Sequence, residues 1–79
     1  MMKLLFYGCS AYWIGCREMT VDVAGAEPLQ DILKSTPKLA PILAHRETLL
    51  VSVNCAVCAF DATVRDTDEV AFLPPFGDG

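Results

Sequence analysis

The residues able to do chemistry fall into three groups: four cysteines, a single histidine, and a C-terminal run of acids, prolines and glycines. Cys9, Cys16, Cys55 and Cys58 include one C-x-x-C pair, a spacing compatible with zinc, thiol exchange or plain burial. Thiol exchange of the thioredoxin kind needs that pair at a helix N-terminus, where the thiolate is stabilised. Here Cys55-Ala56-Val57-Cys58 lies in β-prone sequence, so free thiols are expected. His45 stands beside Arg46 and Glu47, which suits a structural or solvated role. Asp66, Asp68 and Glu69 lack the longer loop and central glycine of an EF-hand and read as a solvated turn. No Ser-His-Asp order or phosphate-cradling glycine loop is present, and no metal site is expected.

The C-terminal run is more specific. Pro74 and Pro75 stiffen the exit from the preceding segment, and Gly77 and Gly79, lacking side chains, can thread a narrow slot. A chain ending at Gly79 offers an unhindered α-carboxylate to a partner's active site. A frayed terminus is the alternative.

Six basic residues face ten acidic ones, and the net charge of −4 lies wholly in residues 61–79. Lys3, Arg17, Lys34, Lys38, Arg46 and Arg65 are too scattered to line a phosphate backbone, so a protein partner is expected rather than nucleic acid. The uncharged runs 4–16 and 48–60 are each 13 residues long, short of the roughly 18 that a membrane span needs. Although residues 3–16 faintly resemble a lipoprotein signal, Gly8, Ser10, Tyr7 and Tyr12 interrupt the stretch. A cytoplasmic location is expected.

Positioning the tail requires a scaffold, and its elements can be read from periodicity. Residues 3–7 form a strand with Leu4 and Phe6 inward and Leu5 and Tyr7 outward; residues 9–16 hold a helical turn. Residues 18–23 alternate as a second strand. Pro28 opens a helix with the stripe Leu29, Ile32, Leu33, and Pro41 keeps the stripe Leu39, Ile42, Leu43 short or irregular. Strands follow at 48–54, 55–60 and 69–73, and the two prolines end the last. This order predicts an α+β fold, a mixed sheet with one face covered by helix and polar members such as Thr20, Asp22 and Ser52 on the other. Leu5, Tyr7, Leu50, Ala71, Leu73 and Phe76 make that outward face a candidate protein-binding patch.

Val51-Ser52-Val53-Asn54, then residues 66–75 (Asp-Thr-Asp-Glu-Val-Ala-Phe-Leu-Pro-Pro) and a glycine-bearing end resemble the small, sulfur-carrier subunits of molybdopterin synthase. The likeness spans essentially the whole chain. It implies the ubiquitin-like β-grasp fold, with strand order 2-1-5-3-4, residues 1–73 as the domain and 74–79 as an extended tail. It implies that the chain is no enzyme alone: an E1-like partner uses ATP to adenylate the Gly79 carboxylate, sulfur replaces AMP, and the thiocarboxylate serves the large catalytic subunit. Pro74, Pro75, Phe76, Gly77 and Asp78 would aim the tail; Leu5, Tyr7, Leu50, Leu73 and Phe76 would dock; no cofactor would be bound.

In that strand order Cys9 and Cys55 lie at opposite ends of the sheet, which opposes a four-cysteine zinc site needing ligands at about 2.3 Å. Two positions depart from the family. Thr67 stands where glycine often separates two acids, and Asp78 replaces the usual penultimate glycine. In a tunnel shaped for glycine, Asp78 would clash and repel phosphates unless a partner Lys or Arg met it. A diverged interaction module without sulfur transfer, or a carrier for another pathway, is the alternative.

Overall fold

The alternation of Met2, Leu4 and Phe6, all buried, makes strand β1 (Met2–Phe6) the sheet's inner spine. The computed structural model describes residues 1–75. Helix α1 (Cys9–Ile14), β2 (Glu18–Val21), β3 (Ala26–Pro28), α2 (Leu29–Ser35), α3 (Ala40–Ala44), β4 (Leu50–Val53), β5 (Ala56–Cys58), β6 (Thr63–Arg65) and β7 (Glu69–Leu73) follow. Strands β2-β1-β7-β4-β5 form a five-stranded sheet, and β1 and β7 pair in parallel at its centre. Numbered among themselves, these strands have the predicted order 2-1-5-3-4. The fold is the expected α+β β-grasp.

Helix α2 buries Leu29, Ile32 and Leu33 against the inner face, and Leu39 and Ile42 extend this layer. Pro28 is its N-cap, one position earlier than the first helical turn expected from sequence. The amides of Leu29 and Gln30 donate to the carbonyls of Ala62 and Phe60, so the helix's free N-terminal donors are satisfied by a loop. The second proline stripe becomes a 3₁₀ turn (Pro37–Leu39) leading into the short α3.

Three features differ from the sequence reading. Strand β2 stops at Val21, although Val23 is buried just beyond it. β3 and β6 form a separate two-stranded sheet that buries Val64; three-residue strands are too short to show alternation. Ser52 sits on the outward face yet is only 7% exposed. Its small side chain lies in a central strand, between Val57 on one side and Ala71 on the other.

The end of the sheet where β7 begins is held by polar side chains. Asn54 and Cys55 have φ of 51° and 71° and form the two-residue turn between Val53 and Ala56. Two positive φ values define the hairpin turn whose twist suits flanking strands. The Asn54 amide donates to Glu69 O (2.8 Å), its Nδ2 to Asp68 Oδ1 (2.9 Å), and its Oδ1 accepts the Glu69 amide (3.0 Å). Asp68 Oδ2 also accepts the Arg65 amide at 2.8 Å. Asp66 accepts the Val23 amide (3.0 Å) and pairs with the N-terminal ammonium (3.1 Å). The Val23 bond and then the ammonium lower the Asp66 pKa; the Asn54 and Arg65 bonds lower that of Asp68.

Asn54→Ala should therefore cost about 1–2 kcal/mol, by loss of two side-chain hydrogen bonds. Cys55→Gly should stabilise by up to about 1 kcal/mol, by relieving a positive φ. Urea unfolding measures both, and like signs would contradict the assignment. Because both carboxyls are depressed, their stabilisation is complete above the unfolded value of about 3.9 and disappears as pH falls through the folded values. The melting midpoint should fall below about pH 4, and Asp68→Asn should flatten that fall.

Candidate functional site: the sheet face and the tail root

The register assembles one outward face. Val57, Ser52, Ala71, Leu5 and Glu18 lie side by side across five strands, and Leu50 lies beside Leu73 in the next row towards the C-terminus of β7. Tyr7 follows β1 at that same end, its amide bonded to Phe72 O at 3.1 Å. In the opposite direction the face turns polar, with Thr20, Lys3 and Glu69 in register. The apolar half of the face thus adjoins the root of the tail.

Of the residues expected to dock, Tyr7 and Leu50 are 47% and 40% exposed, and Leu5 and Leu73 are half-buried. Val57, 68% exposed, was missed by the sequence reading. An Asn-initiated two-residue turn sets 53 opposite 56 and hence 52 opposite 57, which would have put Val57 on this face. A cleft of about 490 Å³, lined by Leu5, Tyr7, Gly8, Ala11, Arg17 and Glu18 among others, continues the face over its β2 edge.

Strand β7 ends at Leu73, which pairs with Leu50; Pro74 and Pro75 follow and have no amide hydrogen to extend the ladder. Pro74 is half-buried and Pro75 exposed. Phe76, Gly77, Asp78 and Gly79 lie outside the described residues, so their assigned roles rest on sequence.

The cysteines are all free thiols. Cys9 opens α1 at the tail end of the sheet, whereas Cys55 adjoins Asn54 and Glu69 at the other. The length of β7 separates them, on the order of 13 Å at about 3.3 Å per residue. Cys55 and Cys58 are joined by extended chain, about 10 Å for three steps, against the roughly 7 Å limit for a disulfide. Burial and then the charge of Asp61 raise the Cys58 pKa, opposing its thiolate. His45 stacks on Trp13 (centroids 4.1 Å apart), its Nδ1 2.9 Å from Pro41 O. Among the described residues no group of three or more His, Cys, Asp or Glu could hold a metal ion, and no helix is long and apolar enough to cross a membrane.

The ThiS family profile matches residues 4–79. The molybdopterin synthase sulfur carrier subunit of Escherichia coli K12 is 30% identical over the whole of both chains, and its namesake from Haemophilus influenzae is 27% identical with the same coverage. Small archaeal modifier protein 1 from Haloferax volcanii superposes with a TM-score of 0.74 at 25% identity, covering 94% of this chain and 95% of its own. A Pyrococcus furiosus chain described as a putative molybdopterin converting factor, subunit 1, has a TM-score of 0.73, with 94% and 95% coverage; at 16% identity it supports the fold alone.

The thiol geometry makes its own prediction. Under limiting iodoacetamide at neutral pH, site-resolved mass spectrometry should find Cys55 alkylated well before Cys58, and mild oxidation should leave the pair unbridged. Rapid formation of an intramolecular Cys55–Cys58 disulfide in the folded protein would contradict it.

Proposed function

This chain belongs to the ThiS family of ubiquitin-like β-grasp sulfur-carrier proteins, and we propose that it carries sulfur for molybdenum-cofactor synthesis as a C-terminal thiocarboxylate. A carboxylate is a poor acceptor for sulfur because its oxygen is a poor leaving group. Attack of the Gly79 carboxylate on the α-phosphate of ATP, in an E1-like partner, expels pyrophosphate and turns that oxygen into part of AMP. A sulfur nucleophile then forms the C–S bond as AMP departs. The thiocarboxylate gives up its sulfur in the large catalytic subunit, to the pyranopterin precursor. The chain is a carrier subunit rather than an enzyme.

The observation that carries this reading is the placement of the tail root. Residues 74–79 follow the Leu50–Leu73 pair at the apolar end of the sheet face, and six residues can reach at most about 20 Å. A partner that covers Leu50, Leu73, Tyr7 and Val57 is thereby within range of the chain's last carboxylate. Leu5 would border the same contact, and Phe76 would extend it. Pro74 and Pro75 would limit the directions in which the arm leaves.

Asp78 favours a second reading, a partner-binding module that has lost sulfur transfer. Incubation with the cognate activating enzyme, ATP and a sulfur donor should give a product about 16 Da heavier, oxygen having been exchanged for sulfur. Asp78→Gly should form it faster, and Leu50→Lys should weaken partner binding about tenfold or more. Absence of the heavier species, with partner binding that survives deletion of residues 77–79, would replace the carrier reading with the second.

A further inference from the structure

Ser10 is fully buried. An unbonded hydroxyl in such a place is costly, and this one donates to Tyr7 O at 2.8 Å while standing 3.4 Å from Phe72 O. The Phe72 carbonyl in turn accepts the Tyr7 amide at 3.1 Å. One side chain thus bonds the end of β1 and seats its hydroxyl against the carbonyl at the end of β7, immediately before Leu73-Pro74-Pro75. Gly8 makes the approach possible. Its φ of 59° and ψ of −131° lie in a region open to glycine, and they reverse the chain after Tyr7 so that Ser10, early in α1, returns over the strand ends.

We propose that Ser10 is a positioning residue for the tail, a buried clamp that fixes the direction in which the chain leaves β7. The proposal rests on the carrier reading for its consequence, and on geometry alone for the clamp. Pro74 and Pro75 have no amide hydrogens with which to join the ladder, so the last restraints upstream of them are the Leu50 pairing, the Tyr7 amide and the Ser10 hydroxyl. A root misdirected by about 5° displaces the end of a 20 Å arm by about 2 Å at full extension. Errors of about 1 Å at a reacting centre can cost on the order of a hundredfold in rate. The Ser10 hydroxyl reaches only the backbone carbonyls of Tyr7 and Phe72 and no side chain of the docking face, so its loss should act more on turnover than on partner affinity.

The experiment uses the full chain and Ser10→Ala, with Ile42→Val on α3, outside the β1–β7 ladder, as a control for general loosening of the core. Amide hydrogen exchange reads the clamp directly. In Ser10→Ala the Tyr7 amide should exchange about tenfold faster, while the Lys3 amide, bonded to Asp68 O at the other end of the sheet, stays unchanged. Thiocarboxylate formation by the activating enzyme should show kcat about tenfold lower with KM nearly unaltered, and Ile42→Val should retain the wild-type kcat. Unchanged Tyr7 exchange in Ser10→Ala overturns the clamp. Faster exchange with wild-type kcat, or an equal loss in Ile42→Val, overturns the positioning role. A wild-type chain that never gains sulfur overturns the carrier reading and its consequence for turnover, while the exchange data still judge the clamp.

Discussion

The parallel pairing of β1 with β7 is the constraint on which the rest of the structure depends. It places residues from near both ends of the chain side by side at the centre of the sheet, with Leu4 beside Val70 and Phe6 beside Phe72. The Phe6 and Phe72 rings stack at 5.6 Å, and Phe60 adds a third ring 6.2 Å from Phe72. A parallel neighbour cannot be reached by a tight turn, so everything from Tyr7 to Asp68 serves as the connection. Within it α2 and α3 cover the inner face, while β2 and β4 flank the central pair. Because β7 is central rather than at an edge, the final strand is held on both sides, and the segment beyond it begins from a rigid origin.

The two ends of that central pair do different work. Where β7 starts, Asn54, Asp68 and Glu69 close a ring of hydrogen bonds that joins the β4–β5 turn to the strand. Where it ends, the restraints are one backbone bond, one buried hydroxyl and the Leu50 pairing, and then two prolines. The acids that gave the sequence its charge asymmetry are thus partly structural. Asp66 and Asp68 direct their carboxylates at backbone amides, which explains why a run that could be mistaken for a cation loop serves as a staple.

Much of the fold was legible because its strands alternate cleanly: Leu4 and Phe6 in β1 and Val70 and Phe72 in β7 are the inward set, and all are buried, with Met2 extending the set one step before the expected strand. Periodicity failed where an element was too short to display it, as in β3 and β6. Polarity misled at Ser52, because a small hydroxyl side chain can be covered by neighbouring strands without entering the core. Val57 was missed for the opposite reason, since its exposure follows from the hairpin register rather than from its residue type. Ser10 was likewise unreadable. Its polarity suggested an interruption of an apolar run, whereas its role depends on contact with Phe72, far away in sequence.

The face and the tail also depend on each other energetically. The apolar half of the face spans about four strands at roughly 4.8 Å spacing and two residue rows, a few hundred Å² at most. A stable specific interface uses roughly 800 Å² from each partner, so this patch alone suits transient docking; on the proposed carrier role residues 74–79 would add to the contact. Transient docking would suit the proposed carrier, which has to leave one partner to reach the next. The consequence of Asp78 would, on the proposed carrier role, fall on the partners. In that role, an anion beside the carboxylate to be adenylated would raise the cost of bringing ATP phosphates close, and a compensating positive charge would have to come from the partner.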